Sequence, residues 1–338
     1  MTAPANRRVV LARVPEGVPV AGDFRLAGTE IPEPGPGEFV SRTLWLSLDP
    51  YVRGVISGRH ISADKVGVGD VVVGSTVSEV VASRHPDYRP GMLVVDRNGW
   101  QEYGVSDGEG VRVLPADGPA PSLALGMLGM PGLTAWSGLK FLARPQAGET
   151  VVVSAAAGPV GSMVGQIARL HGARAVGIAG SREKCDLVIG AFGFDACIDY
   201  RNEDLRERLA ATCPDGIDVY FDNVAGDTLA AVLGRLASGA RIVLCGMIDQ
   251  YNRSGEPPPG PNLGPVIAAR AHIHGLVVYD YYERQEEFLA EATPWYRDGL
   301  IRAREDVAEG LENAPAAFCR LMRGENVGKA LVRVAEAA

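Results

Sequence analysis

Along the first third of the chain, apolar residues come in short runs broken by turn-forming residues. Residues 40–46 alternate roughly between apolar and polar, the period of a half-buried strand. Residues 71–73, 77–81 and 92–95 are short apolar runs bounded by Gly, Pro and Asp. Such spacing predicts a compact β-rich barrel or sandwich. The cluster Pro32-Glu33-Pro34-Gly35-Pro36-Gly37 predicts a turn before the second strand, because Pro presets φ and Gly admits positive φ.

Near residue 123 the pattern changes. Residues 123–128 and 133–139 have helical composition, and strands then alternate with helices. Strands are predicted at 150–155, 173–179, 196–199, 217–222 and 240–245. Helices are predicted at 160–171, 182–192, 205–212 and 227–236. In the first of these helices Val160, Met163, Val164, Ile167, Ala168 and Leu170 recur at helical spacing. Alternation at this pitch predicts a parallel, doubly wound sheet, an α/β fold. Residues 257–261 are proline-rich and predict a stiff loop that cannot be a central strand. A strand at 274–279, a helix at 313–323 and a strand at 329–334 complete the reading.

A length of 338 residues suggests two domains. A formal net charge of −8 argues against a nucleic-acid footprint. It also means that an anionic cofactor must be held by local groups against the global field. The apolar run at 9–12 is too short for a signal sequence. No stretch reaches the roughly 18 apolar residues of a membrane span. The default expectation is therefore a cytoplasmic protein with no membrane partner. Cys185, Cys197, Cys213, Cys245 and Cys319 are odd in number and widely spaced, which predicts packed, reduced thiols.

One turn carries candidate chemistry. Residues 150–155 run into Ala156-Ala157-Gly158-Pro159-Val160-Gly161, and a helix follows at once. This is the G-x-G-x-x-G fingerprint with Ala156 in place of the first glycine. Gly158 would let backbone approach a pyrophosphate, Gly161 would let helix and strand pack closely, and the helix N-terminus would supply free N–H groups. Pro159 suits the first helical turn. The alternative is a glycine-rich turn that binds nothing; the strand–turn–helix context favours the dinucleotide. A dinucleotide lacking the 2′-phosphate usually meets an Asp or Glu about twenty residues further on. Here that place holds Gly180, Ser181, Arg182 and Lys184, small and basic groups that suit a 2′-phosphate. Glu183 counts against this, unless it simply begins a helix where the dipole favours an acid. Lys184 is otherwise an ordinary solvated lysine.

These residues resemble the medium-chain dehydrogenase/reductase superfamily. The resemblance is to its zinc-independent group of prostaglandin reductases (leukotriene B4 12-hydroxydehydrogenases), plant double-bond reductases and bacterial curcumin reductases. It rests on Leu46-Ser47-Leu48-Asp49-Pro50-Tyr51-Val52-Arg53-Gly54, Leu128-Gly129-Met130-Pro131-Gly132-Leu133-Thr134-Ala135-Trp136 and the turn just described. Gly180-Ser181-Arg182-Glu183-Lys184, Asp218-Val219-Tyr220-Phe221-Asp222-Asn223-Val224 and Cys245-Gly246-Met247-Ile248-Asp249-Gln250-Tyr251-Asn252 continue it. Gly324-Glu325-Asn326-Val327-Gly328-Lys329 closes it.

The resemblance implies a Rossmann doubly wound parallel sheet (125–305) inserted in a GroES-like β-rich catalytic domain (1–124, completed by 306–338). It implies NADP(H) as cofactor. Gly158, Pro159, Val160 and Gly161 would face the pyrophosphate, with Gly180, Ser181 and Lys184 at the 2′-phosphate. Tyr200 would sit near the adenosine and Asn223 by the ribose. Cys245, Gly246, Met247, Ile248 and Tyr251, with Leu276, Val277 and Val278, would line the nicotinamide. Asn326 would reach the cofactor from the tail, and Thr134 is counted with this set. It also implies a homodimer through the sheet edge near the strand at 274–279; an edge strand needs cover in any case. Two departures stand out. The family often has Gly at Ala225, which barely alters the reading, and the loop at 256–261 differs in detail beside the substrate.

Zinc-dependent relatives need soft ligands in a tetrahedral set. No cysteine precedes Cys185, and His60 and His85 lack partners at ligand spacing. His272 and His274 share one face of a strand; packed histidines are the simpler account, and no metal site is expected. The remaining chemistry is hydride transfer. For an α,β-unsaturated aldehyde or ketone, hydride would reach the β-carbon and charge would develop on the carbonyl oxygen, where hydrogen-bond donors must stabilise it. Tyr251 and Tyr51 are the candidate donors; their alternative role is packing with the hydroxyl at a rim. The α-carbon proton comes from solvent or Tyr251. Tyr279, Tyr281 and Tyr282 either rim the substrate site or pack. Alternatives are reduction of quinones, zinc-free alcohol or ketone chemistry, and a cofactor-binding protein without catalysis.

Overall fold

Residue by residue, the periodic segments become strands and helices in a computed structural model that describes residues 5–61, 65–253, 255 and 259–336. In chain order they are β1 (Ala5–Leu11), β2 (Phe24–Glu30), β3 (Phe39–Ser47), α1 (Val52–Val55), β4 (Thr76–Ser83), β5 (Leu93–Asp96), β6 (Tyr103–Ser106) and β7 (Arg112–Val113). Then come α2 (Met130–Ser137), β8 (Thr150–Ser154), α3 (Pro159–Leu170), β9 (Arg174–Ala179), α4 (Arg182–Gly190), β10 (Ala196–Asp199), α5 (Leu205–Thr212) and β11 (Ile217–Asp222). The rest are α6 (Gly226–Leu233), β12 (Leu236–Leu244), α7 (Ile248–Tyr251), α8 (Gly264–Ala269), β13 (His272–Gly275), α9 (Gln285–Arg297), β14 (Glu305–Glu309), α10 (Ala314–Met322) and β15 (Lys329–Arg333).

The chain forms two compact units. The first comprises residues 1–125, 251–254 and 305–338; the second comprises 126–250 and 255–304, so the second is inserted in the first. In the first, a sheet of order β14-β15-β3-β4-β5-β7, with β6 also on β3, is antiparallel except for β14 on β15. Phe39, Val80 and Val94 form one buried cluster on it, and Val77, Ala124, Leu125 and Leu331 another. β1 and β2 pair separately, so the proline-glycine turn at 32–37 precedes the third strand rather than the second.

The second unit is a parallel sheet of order β10-β9-β8-β11-β12-β13. Strand order reverses between β8 and β11, and ligands of such sheets bind at the carboxyl ends beside that reversal. Helix α3 buries Met163, Val164, Ile167 and Ala168 against the sheet, as its period predicts, while Leu170 remains exposed. The period says nothing of Gly165, yet a Cβ there would stand 1.9 Å from the Phe194 ring.

Three sequence expectations shift. The strand expected at 274–279 is β13, and it ends at Gly275. Leu276 N–H makes the last bond, to Leu244 O at 2.9 Å, where β12 also ends. With no further rungs available, Val278–Arg284 coils into a 3₁₀ segment. Helix α6 stops at Leu233, and β12 begins at Leu236, four residues earlier than its apolar run. Residues 121–125 form a 3₁₀ turn instead of starting a helix at 123. In the loop at 256–261, Glu256, Pro257 and Pro258 lie outside the described residues.

Candidate active site

Apart from Thr134, which lies in α2, the cofactor candidates of the second unit follow the ends of its strands. β8 leaves the sheet through Ala155, whose φ of 51° turns the chain sharply. Ala156 N–H bonds Ile178 O at 3.0 Å, which keeps the turn against β9. Gly158 caps α3 in extended conformation, and Pro159 and Val160 form its first turn. Gly161 must be glycine: a Cβ would lie 2.4 Å from Ala155 O and 2.8 Å from Ala156 Cα. The first N–H groups of the helix are therefore brought close to the strand end, where an anion can meet them.

At the end of β9, Gly180 leaves room for a neighbour. A Cβ there would meet Tyr200 Cε1 at 3.1 Å and Arg201 Nε at 3.3 Å. Ser181 caps α4, accepting the Lys184 N–H at 3.3 Å, and Lys184 is half-buried in the first turn. The Arg201 guanidinium lies 5.8 Å over the Tyr200 ring. Gly180, Tyr200 and Arg201 thus make a small basic and aromatic cluster, with Ser181 and Lys184 following in the first turn of α4, the chemistry that a phosphorylated adenosine needs. Arg201 escaped the sequence reading; a basic residue directly after the tyrosine was its signal. Arg182, by contrast, turns to Asp186 at 2.9 Å. Asp199, at the end of β10, is spent on its own turn, accepting from Arg201 N–H and Asn202 Nδ2.

A second hub was also missed. Asp222 ends β11 fully buried, and its Oδ1 accepts from Tyr220 Oη, Ser154 Oγ, Val224 N–H and Ala225 N–H. Its backbone carbonyl accepts from Cys245 N–H at 2.8 Å and Gly246 N–H at 3.1 Å. One acid ending an apolar strand thereby orders the ends of β8, β11 and β12. Asn223 is part of this brace: its Nδ2 donates to Ser154 O and its N–H to Ser154 Oγ, both at 2.8 Å. Cys245 and Gly246 are half-buried, Met247 is exposed, and Ile248 opens α7 with its N–H on Asn223 O. Burial, and then the charge of Asp222, pushes the Cys245 thiol up to about 12, so it stays protonated at neutral pH. Leu276 is buried, while Val277 and Val278 leave the end of β13 half-exposed. Thr134 is buried inside α2, its hydroxyl donating to Met130 O at 2.7 Å. A cavity of about 310 Å³ opens by Trp136, Arg144, Ile167 and His171, at the opposite end of α3 from Gly158.

In the first unit, Tyr51 precedes α1 and its ring stands 5.2 Å from that of His60. Its loop is tied down by a buried ion pair, Lys329 Nζ to Asp49 Oδ1 at 2.8 Å, with Lys329 also donating to Leu48 O. Tyr251 closes α7. Asn326 turns its amide to Gly328 O at 2.8 Å.

Two family descriptions match: N-terminal domain of oxidoreductase over residues 7–114, and zinc-binding dehydrogenase over residues 159–294. The chain is 46% identical to the NADPH-dependent curcumin reductase of Escherichia coli (strain K12), covering 98% of this chain and 97% of that one. It is 42% identical to prostaglandin reductase 1 of Rattus norvegicus, over 94% and 96%. A crystal structure of CurA from Vibrio vulnificus with NADPH superposes at a TM-score of 0.93, with 45% identity, over 98% of this chain and 99% of that one. The chain belongs to the medium-chain dehydrogenase/reductase family.

Against that family the residue at 225 matters more than its sequence suggests. Ala225 adopts φ 66° and ψ −149°, a region essentially reserved for glycine. The functional reading is unaffected, but the alanine holds backbone strain beside Asn223. Replacing it with glycine is expected to stabilise this family member by about 1 kcal/mol, the strain relieved less the entropy gained by the unfolded chain. Calorimetry would read this as a rise of roughly 1–2 °C in Tm; a fall would show that the backbone is relaxed there.

Among the described residues, no three His, Cys, Asp or Glu side chains gather closely enough to hold a metal ion. His272 and His274 do share a face, their rings stacked 6.4 Å apart. Of the candidate rim tyrosines, Tyr281 stacks on Phe141 at 5.5 Å, and Tyr279 and Tyr282 pack together.

Proposed function

We propose that this chain uses NADPH to reduce the activated C=C bond of α,β-unsaturated aldehydes and ketones, without a metal, as a cytoplasmic homodimer. The observation that carries the reading is the basic and aromatic cluster of Gly180, Tyr200 and Arg201, with Ser181 and Lys184 following in the first turn of α4 and no carboxylate at the end of β9. The close relation to curcumin and prostaglandin reductases supports the same chemistry.

NADPH, when bound, supplies a hydride. Lys184 and Arg201 hold the 2′-phosphate, and Tyr200 packs on the adenosine. Gly158, Pro159, Val160 and Gly161 receive the pyrophosphate on the α3 N-terminus. Asn223, Cys245, Gly246, Met247, Ile248, Val277 and Val278 line the nicotinamide end, with Leu276 and Thr134 packed behind and Asn326 offered from the tail. The Tyr251 hydroxyl donates to the substrate's carbonyl oxygen as negative charge grows there, and Tyr51 forms a wall of the pocket. Because this donor replaces a Lewis acid, no metal is required. Residues 1–124 and 306–338 form the catalytic domain and 125–305 the cofactor domain. β13 is one of the two edge strands of the parallel sheet, and pairing with a second copy covers it.

The test is NADPH oxidation with a panel of 2-alkenals, cyclic enones and a simple quinone, with and without a strong chelator. Turnover of the enones unchanged by chelator is expected. Loss of turnover on chelation, or turnover confined to the quinone, would overturn the reading.

A further inference from the structure

Tyr251 ends a helix of four residues, Ile248–Tyr251. A helix this short has no stability of its own, so outside contacts must set the direction of its last side chain. Two such contacts come from the turn after α1. Gly58, at φ 65°, lets that turn reverse, and Arg59 N–H bonds Gly54 O at 2.9 Å. This places two neighbouring side chains at the two candidate tyrosines. The His60 ring lies against Tyr51, at 5.2 Å. The Arg59 guanidinium reaches Tyr251 O with Nη2 at 3.2 Å and Arg253 O with Nη1 at 2.8 Å. Between those carbonyls, Asn252 Nδ2 donates to Met322 O at 3.0 Å.

We infer that Arg59 is a positioning residue for the reduction: by gripping the carbonyls of Tyr251 and Arg253 it fixes where the Tyr251 hydroxyl points. The guanidinium suits this task because its planar fork offers two donors in fixed directions, whereas an ammonium is a single point on a flexible stem. Two carbonyls held by one rigid group fix the segment in direction as well as position. The consequence is catalytic because a donor to a developing oxyanion is effective only when aimed beforehand, and a displacement of about 1 Å can cost about 10²-fold in rate. Among the described residues the Arg59 guanidinium donates to these backbone carbonyls, so it acts through Tyr251. The inference rests on the role given to Tyr251 above.

The test is a double-mutant cycle on the full-length protein, assayed with NADPH and an uncharged enone such as 2-cyclohexen-1-one, so that Arg59 has no substrate charge to bind. Arg59→Ala is expected to lower kcat/KM about 10-fold. NADPH affinity should stay within about twofold, because the cofactor residues are untouched. Arg59→Lys should recover only part of the loss, since it keeps the charge and loses the fork. In a Tyr251→Phe background, Arg59→Ala should cost less than about twofold, because the hydroxyl that it aims is gone. A merely structural role would instead give the same loss in both backgrounds. Wild-type kcat/KM in Arg59→Ala, or full additivity with an impaired Tyr251→Phe, overturns the inference alone. A fully active Tyr251→Phe overturns the role of Tyr251 and the inference with it.

Discussion

Tyr251→Phe is expected to lower kcat/KM for a simple enone by about 10²-fold, the usual cost of deleting one donor to an oxyanion. The change removes one hydroxyl and leaves the ring, so packing and KM should alter little. The loss should fall in kcat, because the missing hydrogen bond strengthens as charge moves onto the carbonyl oxygen. Binding of NADPH, followed by its fluorescence, should stay within about threefold of wild type. The thiol of Cys245, held at about 12 by burial and Asp222, is a neutral side chain at assay pH and does not compete as a charged nucleophile for the electrophilic substrate. Tyr51→Phe should cost less, as a wall residue packed on His60. Steady-state kinetics with stopped-flow hydride transfer checks the assignment. A Tyr251→Phe enzyme within threefold of wild type would assign the oxyanion to another donor.

Gly161→Ala is expected to damage both stability and cofactor binding, although it adds one methyl. That methyl would meet two backbone atoms, Ala155 O at 2.4 Å and Ala156 Cα at 2.8 Å. Neither is the movable end of a side chain, so α3 must shift away from β8. Overpacking of this kind costs about 1–3 kcal/mol. The same shift withdraws the helix N-terminus from the pyrophosphate, and a rise of at least about 10-fold in the Kd for NADPH should follow. Gly158→Ala is the control: its Cβ would lie 3.2 Å from Ala155 O, a contact that a few tenths of an ångström relieve. It should cost clearly less stability. Thermal unfolding of both variants, with NADPH titration of Gly161→Ala, decides the matter. Equal effects, or none, would show that close packing at Gly161 does not organise the turn.

Much of this is written in local pattern. The apolar period of residues 160–171 marked the buried face of α3, and Met163, Val164, Ile167 and Ala168 are indeed inside. The turn from Ala156 to Gly161 was legible because a tight strand–helix turn restricts which residues fit. The pattern misled where a partner, not a period, sets the outcome. Residues 276–279 are as apolar as any strand, yet Leu276 makes the last rung because β12 has ended. Arg182 and Arg201 look equivalent as charges; one is held by Asp186, the other lies over Tyr200 beside Gly180.

The sequence by itself determined the alternation of strands and helices, the phosphate-type turn and the absence of a carboxylate at the end of β9. These follow from side-chain period, glycine sterics and residue charge, which are local properties. Only the tertiary structure decided where β13 ends, the brace of Asp222 on Ser154 and Asn223, and the grip of Arg59 on Tyr251. Arg59 and Tyr251 lie 192 residues apart. A hydrogen bond is set by distance and direction in space, and residues so far apart in the chain acquire both only when the fold is complete.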